Sequence, residues 1–109
     1  MEPLAHPLLL ELTPPRLDRS ANQLLWHTPF TQEQMQTLVP ALMARLDCQL
    51  GNMDQGADRL FWPVAFEGVS LGLHFEALCD SLWLQAQEGD SEGAEVLSFL
   101  GRLAGEVGQ

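Results

Sequence analysis

A chain of 109 residues is long enough for one two-layer core and too short for two independent ones. Its 46% hydrophobic and 18% charged composition excludes a disordered chain, so residues 1–109 are expected to form a single domain. The net charge of −10, from fifteen carboxylates against five scattered arginines and no lysine, disfavours nucleic-acid binding, which needs clustered cations to neutralise phosphate.

The opening residues carry Glu2, Pro3 and Pro7 in place of a basic start and a long apolar run. Neither a secretory signal nor a membrane span is expected, and the protein is expected in the cytoplasm. Leu8, Leu10 and Leu12 alternate with Leu9 and Glu11, a pattern for a short strand that Pro14 and Pro15 would end. After a turn, the stretch from Asn22 to Thr28 is again extended, with Leu24 and Trp26 on one side, and Pro29 closes it. These two segments predict an N-terminal hairpin.

Thr31 followed by Gln34 is a capping-box pattern that starts a helix. Met35, Leu38, Val39, Leu42, Met43 and Leu46 recur at three- and four-residue spacing and make one apolar stripe. Pro40 removes one backbone bond within that stripe and predicts a kink. From Cys48 the period changes to two, weakly through Leu50, then across a loop containing Asp54, Gly56, Ala57 and Asp58.

Three alternating sets follow: Leu60, Trp62, Val64 and Phe66; Val69, Leu71, Leu73 and Phe75; Leu82, Leu84 and Ala86. A two-residue turn at Glu67-Gly68 pairs Phe66 with Val69, and hence Leu60 with Phe75, which puts the apolar sets on one face. Asp90 or Ser91 then caps a last helix. Its Val96, Leu97, Leu100, Leu103, Ala104 and Val107 point to the core, Phe99 lies to the side, and Gly101 and Gly105 weaken it. Glu92 and Glu95 in its first turns read chiefly as favourable charges at the helix dipole and for solubility, with partner binding as the other reading.

The same register brings Phe61 opposite His74 on the other face of the sheet. A four-residue loop from Ala77 to Asp80 then sets Trp83 opposite His74. Phe61, His74 and Trp83 form a row, bordered by Pro63 and Gln85, and these five are the candidate binding residues. Two readings stand: the face is covered by the N-terminal hairpin or a helix, or it stays open and anchors a protein partner or a second copy. A small-molecule or enzymatic pocket near His74 competes, because Gly72 opposite Pro63 leaves a shallow depression.

No catalytic residue, metal ligand or cofactor is predicted. His6, His27 and His74 lack a second ligand at motif spacing, and no phosphate loop or nucleophile turn occurs. Cys48 and Cys79 are expected to be reduced.

The run Gly56-Ala57-Asp58-Arg59, the Phe66-Glu67-Gly68 turn and the strand Ser81-Leu82-Trp83-Leu84 resemble an uncharacterised bacterial family of small acidic α+β proteins of about one hundred residues. That resemblance supports the fold and implies no activity. A weaker likeness, to the acidic chaperones of type III secretion, implies binding of a protein client. It conflicts with the expected element order, since those chaperones begin with a helix and place another between their strands, whereas this chain is read to start with a hairpin and to run four strands uninterrupted. The chain is therefore read as an α+β two-layer sandwich, an antiparallel sheet with two helices mainly on one face, in the order ββαββββα. The expected function is non-catalytic binding of a protein partner or a second copy, without nucleic acid or membrane.

Overall fold

The computed structural model of the chain describes residues 7–87 and 89–105. Three helices and seven strands follow in the order α1 (Pro7–Glu11), β1 (Arg16–Asp18), β2 (Gln23–His27), α2 (Gln32–Arg45), β3 (Gln49–Leu50), β4 (Asp54–Gln55), β5 (Arg59–Phe66), β6 (Val69–Glu76), β7 (Ser81–Gln85) and α3 (Ser91–Leu103). All described strand pairs are antiparallel and form one sheet in the order β1-β2-β7-β6-β5-β3, with β4 also pairing β5. The predicted α+β sandwich is the observed fold.

The central hairpin follows from local chemistry. Glu67 and Gly68 both take positive φ, 49° and 84°, the combination that a two-residue type I′ turn needs to match strand twist. Glycine bears this freely, whereas Glu67 adopts it at a cost. The register runs from Phe66↔Val69 to Arg59↔Glu76, as the alternation predicts. A 3₁₀ turn at Ala77–Cys79 leads to Glu76↔Ser81 and His74↔Trp83, so that expected pairing also holds.

Pro63 lies inside β5, where a missing N–H would ordinarily break a ladder. Counting from the hydrogen-bonded Phe66–Val69 pair, its nitrogen points away from β6. On that side Leu50 pairs Val64 and Asp54 pairs Phe61, so residues 51 to 53 oppose only 62 and 63. This bulge absorbs the lost donor, and the Pro63 carbonyl accepts the Gly51 N–H at 2.7 Å.

The capping box of α2 is complete: Gln34 N–H donates to Thr31 Oγ1 at 3.0 Å, and Thr31 N–H donates to Gln34 Oε1 at 2.9 Å. Every residue of the predicted stripe is buried. Pro40 does not end the helix, because it lies on the exposed side along with Gln36, whose carbonyl loses its intrahelical partner and faces water. α2 carries the chain from β2 to β3 at the far side of the sheet. It brings Met35, Leu38, Leu42 and Leu46 into one core with Trp26, Trp62, Leu73, Phe75 and Leu84. Asp90 caps α3, accepting the Gly93 N–H at 3.0 Å, and Leu97 and Leu100 complete the core.

Three expectations are corrected. The segment predicted as a strand at Leu8–Leu12 is the short helix α1, which makes three helices instead of two. Proline is tolerated at the first helical position. A helix turns Leu9 into the core at 4% exposure, with Leu8 and Leu12 against it, and leaves Leu10 at 82%. The N-terminal hairpin exists, but β2 pairs with Arg16–Asp18, a segment expected to be a turn. At the other end Leu103 is 49% exposed and Gly105, at φ 79°, follows the end of α3 as a left-handed stop. It terminates the helix and does not weaken its interior. Val107 and His6 lie outside the described residues.

Candidate functional site: the open face of the sheet

Helices α2 and α3 both pack on the face bearing Trp62, Leu73 and Leu84. Among the described residues no helix covers the other face. The N-terminal hairpin, one of the two expected covers, instead extends the sheet, because β2 pairs β7 from Gln23↔Gln85 to His27↔Ser81.

Strand pairing therefore lengthens the predicted row. Directly opposed residues share a face, so the pairs Asp54↔Phe61, Phe61↔His74, His74↔Trp83, Trp83↔Leu25 and Leu25↔Arg16 trace a line across six strands. Phe61, His74, Trp83 and Leu25 are half-buried, while Asp54 and Arg16 are exposed. The His74 and Trp83 rings stack with centroids 5.1 Å apart at 10°, and Phe61 meets His74 at 4.9 Å and 58°. Gly72 makes room for this. A Cβ there would meet Phe61 Cε1 at 3.0 Å and His74 Nε2 at 3.2 Å, so any larger residue would push the rings outward.

The neighbouring row is Arg59, Glu76, Ser81 and His27. Arg59 pairs with Glu76 at 3.2 Å, and Cys79 Sγ donates to the same carboxylate at 3.3 Å. That hydrogen bond, then the Glu76 charge, raises the pKa of the exposed Cys79 thiol, which keeps it protonated and a poor nucleophile. Burial, followed by the charge of Arg59, lowers the pKa of His74. Glu76, on the same strand face as His74, has its carboxylate taken by Arg59 and Cys79. The depression beside them holds about 210 Å³, below the range of about 300–1,000 Å³ usual for small-molecule sites.

On the other flank Pro63 is exposed and Gln85 half-buried. The Gln85 amide is committed internally: Oε1 accepts from Gln23 Nε2 at 2.8 Å, and Nε2 donates to the Ala21 carbonyl at 2.9 Å. It ties β7 to the β1–β2 turn and offers little to a ligand. The structure thus brings Phe61, His74, Trp83, Pro63 and Gln85 onto one face, with the His74 ring in contact with both Phe61 and Trp83.

Leu25, Arg16 and Asp54 were not identified from sequence. Leu25 does alternate with Leu24 and Trp26, but nothing local to β2 says that β7 is its neighbour. Among the described residues no three His, Cys, Asp or Glu side chains gather as a metal-ligand set, and no helix is long and apolar enough to cross a membrane.

No curated protein and no solved structure matches the chain. Residues 12–105, which hold all seven strands and the two long helices, match the family described as "Protein of unknown function (DUF3630)", and the chain belongs to that family.

Proposed function

We propose that this protein is a non-catalytic, cytoplasmic binding domain that associates through the open face of its sheet, and that its partner is a second copy of itself. The observation that carries this reading is the uncovered row of Phe61, His74, Trp83 and Leu25, since contiguous aromatic and apolar groups on an otherwise polar surface mark an interface. One hydrophobic core joins all the helices, which supports treating residues 1–109 as one domain.

Charge favours self-association. The row ends in Asp54 on one side and Arg16 on the other, about 24 Å away across five strand spacings. A two-fold axis parallel to the strands, lying between His74 and Trp83, sets each Asp54 against the other copy's Arg16 and His74 against Trp83. The interface is then self-complementary, as a two-fold dimer requires. Edge-to-edge pairing is less suited, because β1 has three residues preceded by Pro14 and Pro15, and the opposite edge is bulged.

Size-exclusion chromatography with light scattering tests this. The expected mass is twice 12.1 kDa, and Phe61→Ser or Trp83→Ser should give monomers that keep their circular dichroism spectrum. A wild-type protein that stays monomeric, with variants equally soluble, would sink the proposal.

A further inference from the structure

A second concavity lies away from the open face. The tip of the β5–β6 hairpin and the first half of α3 bound a groove of about 430 Å³, with Phe66, Val96 and Phe99 on its floor and Glu67, Glu92 and Glu95 on its rim. Phe66 and Phe99 meet with ring centroids 5.7 Å apart at 35°, and Phe99 is 44% exposed. The floor thus presents the Phe99 ring to solvent, seated on the buried Phe66.

The rim is surplus to what the helix needs. Asp90 already satisfies an N-terminal amide of α3, so Glu92 and Glu95 are not required as caps. No arginine lines the groove, and the ion pair among the described residues is Arg59–Glu76, on the sheet face. Three unpaired carboxylates therefore surround one exposed aromatic ring, Phe99, backed by the buried Phe66, in a protein of net charge −10. That field draws in cations, and the ring attracts them again at contact range.

We propose that this groove binds a protein segment presenting an arginine or lysine beside an apolar side chain. The apolar neighbour covers Phe66 and Phe99, and the cation lies against the ring surface within reach of the three carboxylates. An anionic or wholly apolar segment would leave those carboxylates facing a desolvated, unpaired contact. The site is independent of the sheet-face association.

The probe is a blocked Leu-Arg-Leu peptide compared with its citrulline analogue, which keeps the shape and removes the charge. Each is titrated into isotope-labelled protein and followed by amide chemical shifts. The expected result is saturable shifts confined to residues 66–69 and 92–99, with the arginine peptide binding about tenfold tighter and weakening as salt rises. Glu92→Gln with Glu95→Gln should remove the preference for arginine. Phe99→Ala should weaken both peptides, and an unchanged spectrum elsewhere will show that each variant is folded. Equal binding of the citrulline peptide, shifts outside the groove, or no saturation would each overturn the proposal. Shifts at these residues that track protein concentration without peptide would overturn it too, by making a second copy the occupant.

Discussion

His74 shows how one residue couples burial to pH. Its ring lies between Trp83 and Phe61, and burial with the nearby Arg59 holds its pKa below the ordinary 6.5. Arg59 and Glu76 on the adjacent row, Asp54 and Arg16 at the two ends of its own, and Asp18 beyond Gln85 and Gln23 are charged groups on that side of the sheet. Between the lowered value and 6.5 the unfolded chain binds more protons than the folded one, so stability rises with pH across that window. It is lost as pH falls below 6.5. In the dimer proposed above, a second copy covering the ring would deepen the effect, so that association is expected to loosen as pH is lowered from 7.5 to 5.5. Light scattering across that range should show a rising dissociation constant for the wild type and a flatter response for His74→Phe; identical pH profiles would refute the role. The row was legible in the sequence, because the turn at Glu67-Gly68 with strict alternation sets Phe61 opposite His74, and a four-residue loop from Ala77 to Asp80 sets Trp83 opposite His74. The involvement of Gln85 in holding the β1–β2 turn was not, since its acceptors at Ala21 and Asn22 are distant in the chain.

Elements differ in how much of their stability is local. Helix α2 announces itself through a capping box and a six-residue stripe, and both are realised. Helix α3 depends on its entry. Gly93 is buried where a Cβ would meet Asp90 Oδ2 at 2.7 Å and Ala86 Cβ at 3.0 Å, so the first turn is pressed against the end of β7. Removing the cap by Asp90→Ala is expected to cost about 1 kcal/mol and to lower the melting temperature by roughly 4–8 °C for a domain of this size. Thermal unfolding followed by circular dichroism measures it, and an unchanged midpoint would show that packing alone holds the helix. By contrast, α1 was misread because Pro7 to Leu12 is too short to distinguish the two periods. Three leucines at alternate positions fit a strand, while Leu8, Leu9 and Leu12 fit a helix equally well. Five residues cannot sustain a helix by themselves, and α1 exists because Leu9 has a core to enter.

At the scale of the whole molecule, the placement of both long helices on one face leaves the other available, and charge gives that face a direction. Reversing one end of the row, by Arg16→Glu or Asp54→Arg, is expected to raise the dimer dissociation constant roughly three- to tenfold, as for an exposed ion pair made at an interface. Combining both reversals should restore it to near the wild-type value. A double variant as weak as the sum of the singles would show that the two ends never meet.

The sequence by itself determined the α+β class, the long helices and the β5-β6-β7 register with its Phe61–His74–Trp83 row. These depend on turn chemistry and periodicity within a few residues, which act before distant parts of the chain meet. The tertiary structure alone decided that β2 lies beside β7, that the N-terminal hairpin widens the sheet instead of covering it, and that Phe99 closes a groove with Phe66. Each of these depends on contacts between segments tens of residues apart, where burial of the shared core selects one arrangement among several that the local patterns allow equally.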